Sequence, residues 1–324
     1  MPKVLYSEYD YVDHSIEQEV LDAAGIDLVA AQCRTDDDII AAGRDCDAII
    51  CQYAHINERV VSALPRLGII SRLGAGYDTI DTEACAKRGI WVANSPDYGV
   101  GEVATHALAL ALALMRNIVA YHRDIGRGNW HFLSSGKLHR ASDMTLGIIG
   151  LGRIGKRMAH ISRDVFRNVI ACDPYIIDGD FPAYVARATH AEVFENSDVV
   201  SLHVPLNAET RGMINADLLG HVRPGAFLIN TARGAIVDID AACAALERGT
   251  LGGMGLDVLP VEPAAADSKL ATHPRVILSP HAAFFSVQAE RELRVKTARN
   301  IVSWVRTGRP DYPVVVGTRR LGGT

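Results

Sequence analysis

Three side chains of complementary chemistry stand late in the chain, each in a short segment that follows an apolar run: Arg233 in LINTARG, Glu262 in GLDVLPVEP and His281 in LSPHAA. A guanidinium grips a carboxylate through a planar fork. An imidazole exchanges a proton near neutral pH, and a carboxylate beside it raises its basicity and fixes its orientation. Together they suit acid–base chemistry on a small 2-keto or 2-hydroxy acid. Taken singly, each has a plainer reading: Arg233 as the close of a strand, Glu262 as a solvated group in a Pro-rich loop, His281 as a core histidine. Their concurrence in one series of strands favours catalysis.

A second constellation lies upstream. Gly150, Gly152 and Gly155 form G-x-G-x-x-G directly after the apolar run LGII and directly before a helical stretch. The first glycine permits the tight turn, the second lets a pyrophosphate approach the backbone, and the third lets helix pack on strand. Residues 153–155, Arg153 and Ile154 among them, then open a helix whose N–H groups and positive dipole end face the phosphates. Asp173-Pro174 follows the next apolar run, about 20 residues on, where an acidic side chain bonds the ribose hydroxyls. A carboxylate there repels the extra phosphate of NADP, so NAD is the expected cofactor.

The elements that must hold these groups alternate. Residues 3–6, 26–30, 48–51, 68–71 and 91–94 read as strands, with helical stretches at 15–24 and 57–64. A second series of strands begins at 145–149 and continues at 168–172, 199–203, 226–230, 253–256 and 276–278. Alternation of this kind requires crossover connections and parallel pairing. Residues 100–118, nearly all apolar, predict one long helix buried on every side. The polar stretch that follows, with Trp130 and Phe132, reads as a surface arm and subunit contact, and residues 287–306 as a terminal helix.

The chain has 324 residues, 48% hydrophobic and 22% charged, which fits two globular domains. A net charge of −5 without a basic cluster argues against nucleic-acid or membrane partners. The longest apolar run, residues 107–115, is about half of a membrane span. The N-terminus lacks the pattern of a signal peptide, and the six cysteines form no CxxC pair. A cytoplasmic protein without a metal is the expectation.

The motifs GIIGLGRIG, LHVPLN, FLINTARGAIVD, GLDVLPVEP and SPHAA, with SRLGAGYD near the start, resemble in order and spacing the D-isomer-specific 2-hydroxyacid dehydrogenase family. HAAFFSVQAE and TGRPD are similar to its C-terminal-binding-protein-like branch. The resemblance implies two Rossmann-like doubly wound parallel-sheet α/β domains, with an NAD-binding domain (residues 99–282) inserted into a flavodoxin-like substrate domain (1–98 plus 283–324). It implies a homodimer and hydride transfer between NAD(H) and a small 2-keto or D-2-hydroxy acid. The alternative it leaves is an NAD(H)-sensing regulatory or scaffold protein like that branch's co-repressors.

The resemblance also distributes roles. His281 is then the acid–base group, Glu262 its partner and Arg233 the substrate clamp. Gly74, Ala75 and Gly76 offer N–H groups to the substrate carboxylate, supported by Arg72, with Gln52 and Phe284 at the substrate. Asp257 meets the nicotinamide amide and Val103 lies near its face. His203, Val204, Pro205, Asn207, Thr210, Thr231 and Ala232 line the cofactor. Thr105 departs from the family, where an acidic residue is frequent; Phe284 keeps the aromatic that in that branch often follows the catalytic His by three, where the animal co-repressors have Trp. The segment of residues 51–55 names no single substrate, and its His55 reads as a solvent-facing loop residue. Phe284, Phe285, Tyr53 and Tyr77 suggest an aromatic lining suited to an apolar or thioether side chain.

Overall fold

A computed structural model describes residues 1–265 and 268–322. The chain divides into two compact units, Met1–Tyr98 with Ser286 onward, and Gly99–Phe285. In unit 1, β1 (Lys3–Tyr6), β2 (Asp27–Ala30), β3 (Ala48–Cys51), β4 (Ile69–Arg72) and β5 (Trp91–Ala93) alternate with α1 (Ser15–Asp22), α2 (Asp36–Gly43), α3 (Glu58–Ala63) and α4 (Thr82–Lys87). These strands pair in parallel, in the order β5-β4-β3-β1-β2.

Unit 2 opens with α5 (Val100–Met115) and α6 (Ile118–Gly126). Its sheet then draws on β6 (Thr145–Ile149), β7 (Asn168–Cys172), β8 (Val185–Arg187), β9 (Val199–Leu202), β10 (Ala226–Asn230), β11 (Leu251–Leu256) and β12 (Val276–Leu278). Between them run α7 (Arg153–Ser162), α8 (His190–Asn196), α9 (Ala216–Gly220), α10 (Ile239–Glu247) and α11 (Lys269–Thr272). All seven strands are parallel, in the order β12-β11-β10-β9-β6-β7-β8. Buried side chains fill both of its faces, as a parallel sheet requires. The chain then returns to unit 1 as α12 (Val287–Thr307) and β13 (Pro313–Val315), which pairs antiparallel with β5 at the sheet edge.

Three expectations are corrected. The apolar helix is not continuous to residue 118. Asn117 adopts the left-handed conformation (φ 50°), the helix restarts at Ile118, and the two pieces bend by 56°. It is not buried all round either: Val103, Ala104, Ala107, Leu110, Ala111 and Leu114 form one buried stripe, while Thr105 and Ala109 face out. The return to unit 1 comes at Ser286 rather than 283. The Asp257 carboxylate accepts the N–H groups of Ala282 and Ala283 (2.9 and 3.0 Å), which holds that strap in unit 2. No single helix among the described residues is long and apolar enough to cross a membrane.

Candidate active site

The carboxyl ends of β10, β11 and β12 bring the reactive side chains together within unit 2. His281 Nδ1 lies 2.8 Å from Glu262 Oε2. A carboxylate can only accept, so Nδ1 carries the proton and Nε2 is the exchanging atom. The second Glu262 oxygen accepts from Leu259 N–H at 2.9 Å, which fixes the carboxylate. Burial alone would push Glu262 up; the hydrogen bonds from His281 and Leu259, with the positive Arg233, outweigh it and hold it below the ordinary carboxylate value. Both side chains remain about one-third exposed, as a proton-exchanging pair must.

Arg233 ends the turn after β10. Its Nη1 donates to the Ala232 carbonyl (2.8 Å), while Asn230 accepts from Ala232 N–H and donates to Arg233 C=O. Gly234 explains how the Arg233 turn reaches the Glu262 loop. A Cβ there would meet the Leu259 carbonyl carbon at 1.9 Å, so only glycine lets the two backbones touch.

His281 itself sits at φ 54°, a strained position for a residue with a Cβ. The strain is held by Asp257, 2% exposed. Its carboxylate accepts from Ser279 Oγ (2.6 Å) and from Ala282 and Ala283, while its carbonyl accepts from His281 N–H (2.8 Å). His106 on α5 extends the chain, 2.8 Å from Ser279 Oγ. Ser279, His106 and Asn230 escaped the sequence reading. Only Ser279, two residues before His281, carried a local signal.

The dinucleotide motif is built as its glycines require. Gly150 turns at φ 91°, and a Cβ at Gly155 would strike the Gly150 carbonyl at 2.0 Å. A Cβ at Gly152 would meet nothing within 4 Å: the motif leaves space on that side. The start of α7, with Arg153 exposed and Ile154 half-buried, has no side-chain cap. Asp173 stands beside the turn, accepting from Leu151 N–H (2.8 Å) and Tyr175 N–H (3.0 Å), with Pro174 exposed next to it. Thr231 Oγ1 is buried and has no hydrogen-bond partner among the described residues. Open space, uncapped N–H groups and an orphaned hydroxyl together fit a bound dinucleotide.

The remaining expected contacts fall in two places. In unit 2, Val103 is buried on α5, and Phe284 packs edge-on against Phe285 (6.4 Å). The loop of residues 203–211 is closed on itself: Thr210 Oγ1 donates to Pro205 C=O (2.6 Å), and Asn207 accepts from Glu209 and Thr210 N–H. Val204 abuts the Gly150 turn, and burial pushes His203 down to about 4, so its ring is neutral. In unit 1, Gln52 is buried, Arg72 packs against Gly74, and Ala75 C=O accepts from Asn94. Gly76, Tyr53 and Tyr77 belong to the same unit, and His55 is exposed.

A parallel sheet with a dinucleotide turn, and an Arg and a Glu–His couple at its carboxyl edge, define a dinucleotide-dependent oxidoreductase. Residues 108–283 match the family described as D-isomer specific 2-hydroxyacid dehydrogenase, NAD binding domain. A glyoxylate reductase of Korarchaeum cryptofilum is 35% identical over 274 residues, 83% of this chain and 82% of its own. A D-3-phosphoglycerate dehydrogenase of Synechocystis is 32% identical over 293 residues, 87% of this chain; the match spans about half (52%) of that relative's length. D-lactate dehydrogenase from Aquifex aeolicus, solved with NAD and lactic acid, superposes with a TM-score of 0.86 at 28% identity, covering 98% of this chain and 100% of that one. The chain belongs to the D-isomer-specific 2-hydroxyacid dehydrogenase family. These relatives are reductases and dehydrogenases, so they support the enzymatic reading and not the co-repressor-like one.

Proposed function

We propose that the chain is an NAD-dependent oxidoreductase that interconverts a small 2-keto acid and its D-2-hydroxy acid. The observation that carries this is the His281 Nδ1–Glu262 contact of 2.8 Å, with Arg233 electrostatically coupled to the same carboxylate. Bound NADH supplies a hydride to the keto carbon, and NAD⁺ accepts one in the reverse direction. Arg233 grips the substrate carboxylate and polarises the adjacent carbonyl. His281 Nε2 gives its proton to the carbonyl oxygen as the hydroxyl forms, while Glu262 stabilises the charged ring beforehand. Thr231, the α7 N-terminus and Gly152 hold the dinucleotide, and the Asp173 carboxylate favours NAD over NADP.

The reading includes a homodimer. Exposed Ile125, Trp130, Phe132 and Leu133 line a groove of about 630 Å³ with Tyr121 of α6, which supports a second copy as its occupant. It also includes a reducing, cytoplasmic setting, supported by six unpaired thiols, five of them buried. The test is a panel of 2-keto acids followed by loss of NADH absorbance, with the product resolved by chiral chromatography. A D-2-hydroxy acid product is the expected result, and no turnover with any member overturns the reading.

A further inference from the structure

The hydrogen bonds around the buried Asp257 carboxylate, all of them within unit 2, have a direction. A carboxylate can only accept, so the Ser279 hydroxyl at 2.6 Å gives its one proton to Asp257 Oδ1. The Ser279 oxygen must then accept from His106 Nε2, which lies 2.8 Å away. That nitrogen therefore carries a hydrogen. His106 stands on α5, 173 positions before Ser279 in the chain, yet donation runs one way from it through Ser279 to Asp257.

The far end of this chain of donors is the strap that carries His281. Asp257 Oδ1 also accepts from Ala282 N–H and Oδ2 from Ala283 N–H, so the carboxylate ties down the two residues after His281. Those bonds offset the cost of the left-handed angle at His281. A hydroxyl proton rotates to suit its surroundings. With a donor facing its lone pairs, Ser279 has one direction left for that proton, toward Asp257. Successive hydrogen bonds polarise one another, so the His106 end strengthens the Asp257 end. Among the described residues Ser279 receives the only side-chain hydrogen bond that His106 makes.

We infer that His106 is a positioning residue for the proton transfer: by donating to Ser279 it fixes the hydroxyl that anchors Asp257, and through Asp257 it keeps the His281 ring in place against Glu262. The inference rests on the function proposed above and deepens it. His106 acts through Ser279 and Asp257 and exchanges no proton with the substrate. Its imidazole is needed as a directed donor, which distinguishes it from a side chain that merely packs α5 against the strap.

Two replacements separate donation from packing. His106→Leu keeps an apolar bulk and removes the donor; His106→Gln carries an amide N–H to the place of Nε2. With NADH and the best 2-keto acid of the panel, His106→Leu should lower kcat roughly tenfold and leave KM for the keto acid within about twofold. His106→Gln should recover kcat to within about threefold of the unaltered chain. Ser279→Ala should lower kcat as His106→Leu does, and keeps the test open should that variant fail to fold. The double variant His106→Leu/Ser279→Ala should be no slower than Ser279→Ala, because the two residues belong to one chain of donors. A kcat in His106→Leu or Ser279→Ala within about twofold of the unaltered chain overturns the inference. Equal losses in the Leu and Gln variants, as packing alone would give, overturn it too, and so do losses that multiply in the double variant. Those results leave the proposed function standing, whereas failure to reduce any 2-keto acid removes both.

Discussion

Two side-chain couples of nearly equal length sit in opposite settings in the two units. In unit 1, Arg294 Nη2 meets Glu17 Oε2 at 2.7 Å, with side chains 5% and 0% exposed. In unit 2, His281 meets Glu262 at 2.8 Å, with side chains 33% and 37% exposed. The sealed couple is saturated: Arg294 also bonds Glu290 and the Asp13 carbonyl, and the Tyr6 hydroxyl, kept protonated by burial and by Glu17, donates to Glu17. Burial alone would lower Arg294, but the contacts with Glu17 and Glu290 outweigh it and raise it. Neither member has a reason to move its proton. The open couple keeps one ring nitrogen uncommitted to Glu262 and accessible. Length and partner type are alike, so access and saturation distinguish a fastening from the couple to which the function proposed above gives proton exchange.

That contrast is broken most severely at His281. His281→Ala should lower kcat by about 10²–10⁴-fold in the 2-keto acid assay, while NADH binding, followed by fluorescence titration, is retained. Glu262→Gln should cost less. The double variant should be no slower than His281→Ala, because the two act as one unit; independent losses would dissolve the couple. Next in size, Glu17→Gln removes the fully buried counter-charge of Arg294 and leaves it the half-buried Glu290 at 3.1 Å. It should cost about 3–5 kcal/mol in urea unfolding, with kcat retained by the folded fraction. A loss of activity without a loss of stability would erase the distinction.

His203 sharpens the comparison because its Nε2 lies 2.9 Å from the Ser201 hydroxyl rather than beside a carboxylate. His203 titrates near 4 in the folded chain against an ordinary 6.5. Between these values the unfolded chain binds the proton first, so stability is full above pH 6.5 and falls as pH drops towards 4. The loss should reach up to about 3 kcal/mol. His203→Asn should remove that part of the slope when unfolding is measured across this interval. An unchanged profile would show that the ring is solvated.

Legibility followed the range of the interaction. Gly150, Gly155 and Gly234 answer to backbone approaches where a Cβ has no room, so residue type alone announces them. Arg233, Glu262 and His281 each sit at a strand end that periodicity locates. Glu17 and Arg294 are separated by 277 positions, so their pairing leaves no local trace. The break at Asn117 was hidden because Ala- and Leu-rich sequence is helical on either side of it. β13 was missed because a three-residue edge strand owes its pairing to the fold that delivers it.

The route of the polypeptide gives the first unit an order of assembly. Gly68 lies so close to Trp304 that a Cβ would come within 2.3 Å of the indole, and Ser71 and Asn94 hand hydrogen bonds to or from α12. The first ninety-eight residues leave the ribosome with that seat vacant, while everything needed for the second sheet follows in one uninterrupted stretch. The inserted unit thus has its whole sheet in one stretch of chain, whereas the opening segment's sheet lacks its Trp304 seat-filler until α12 is made.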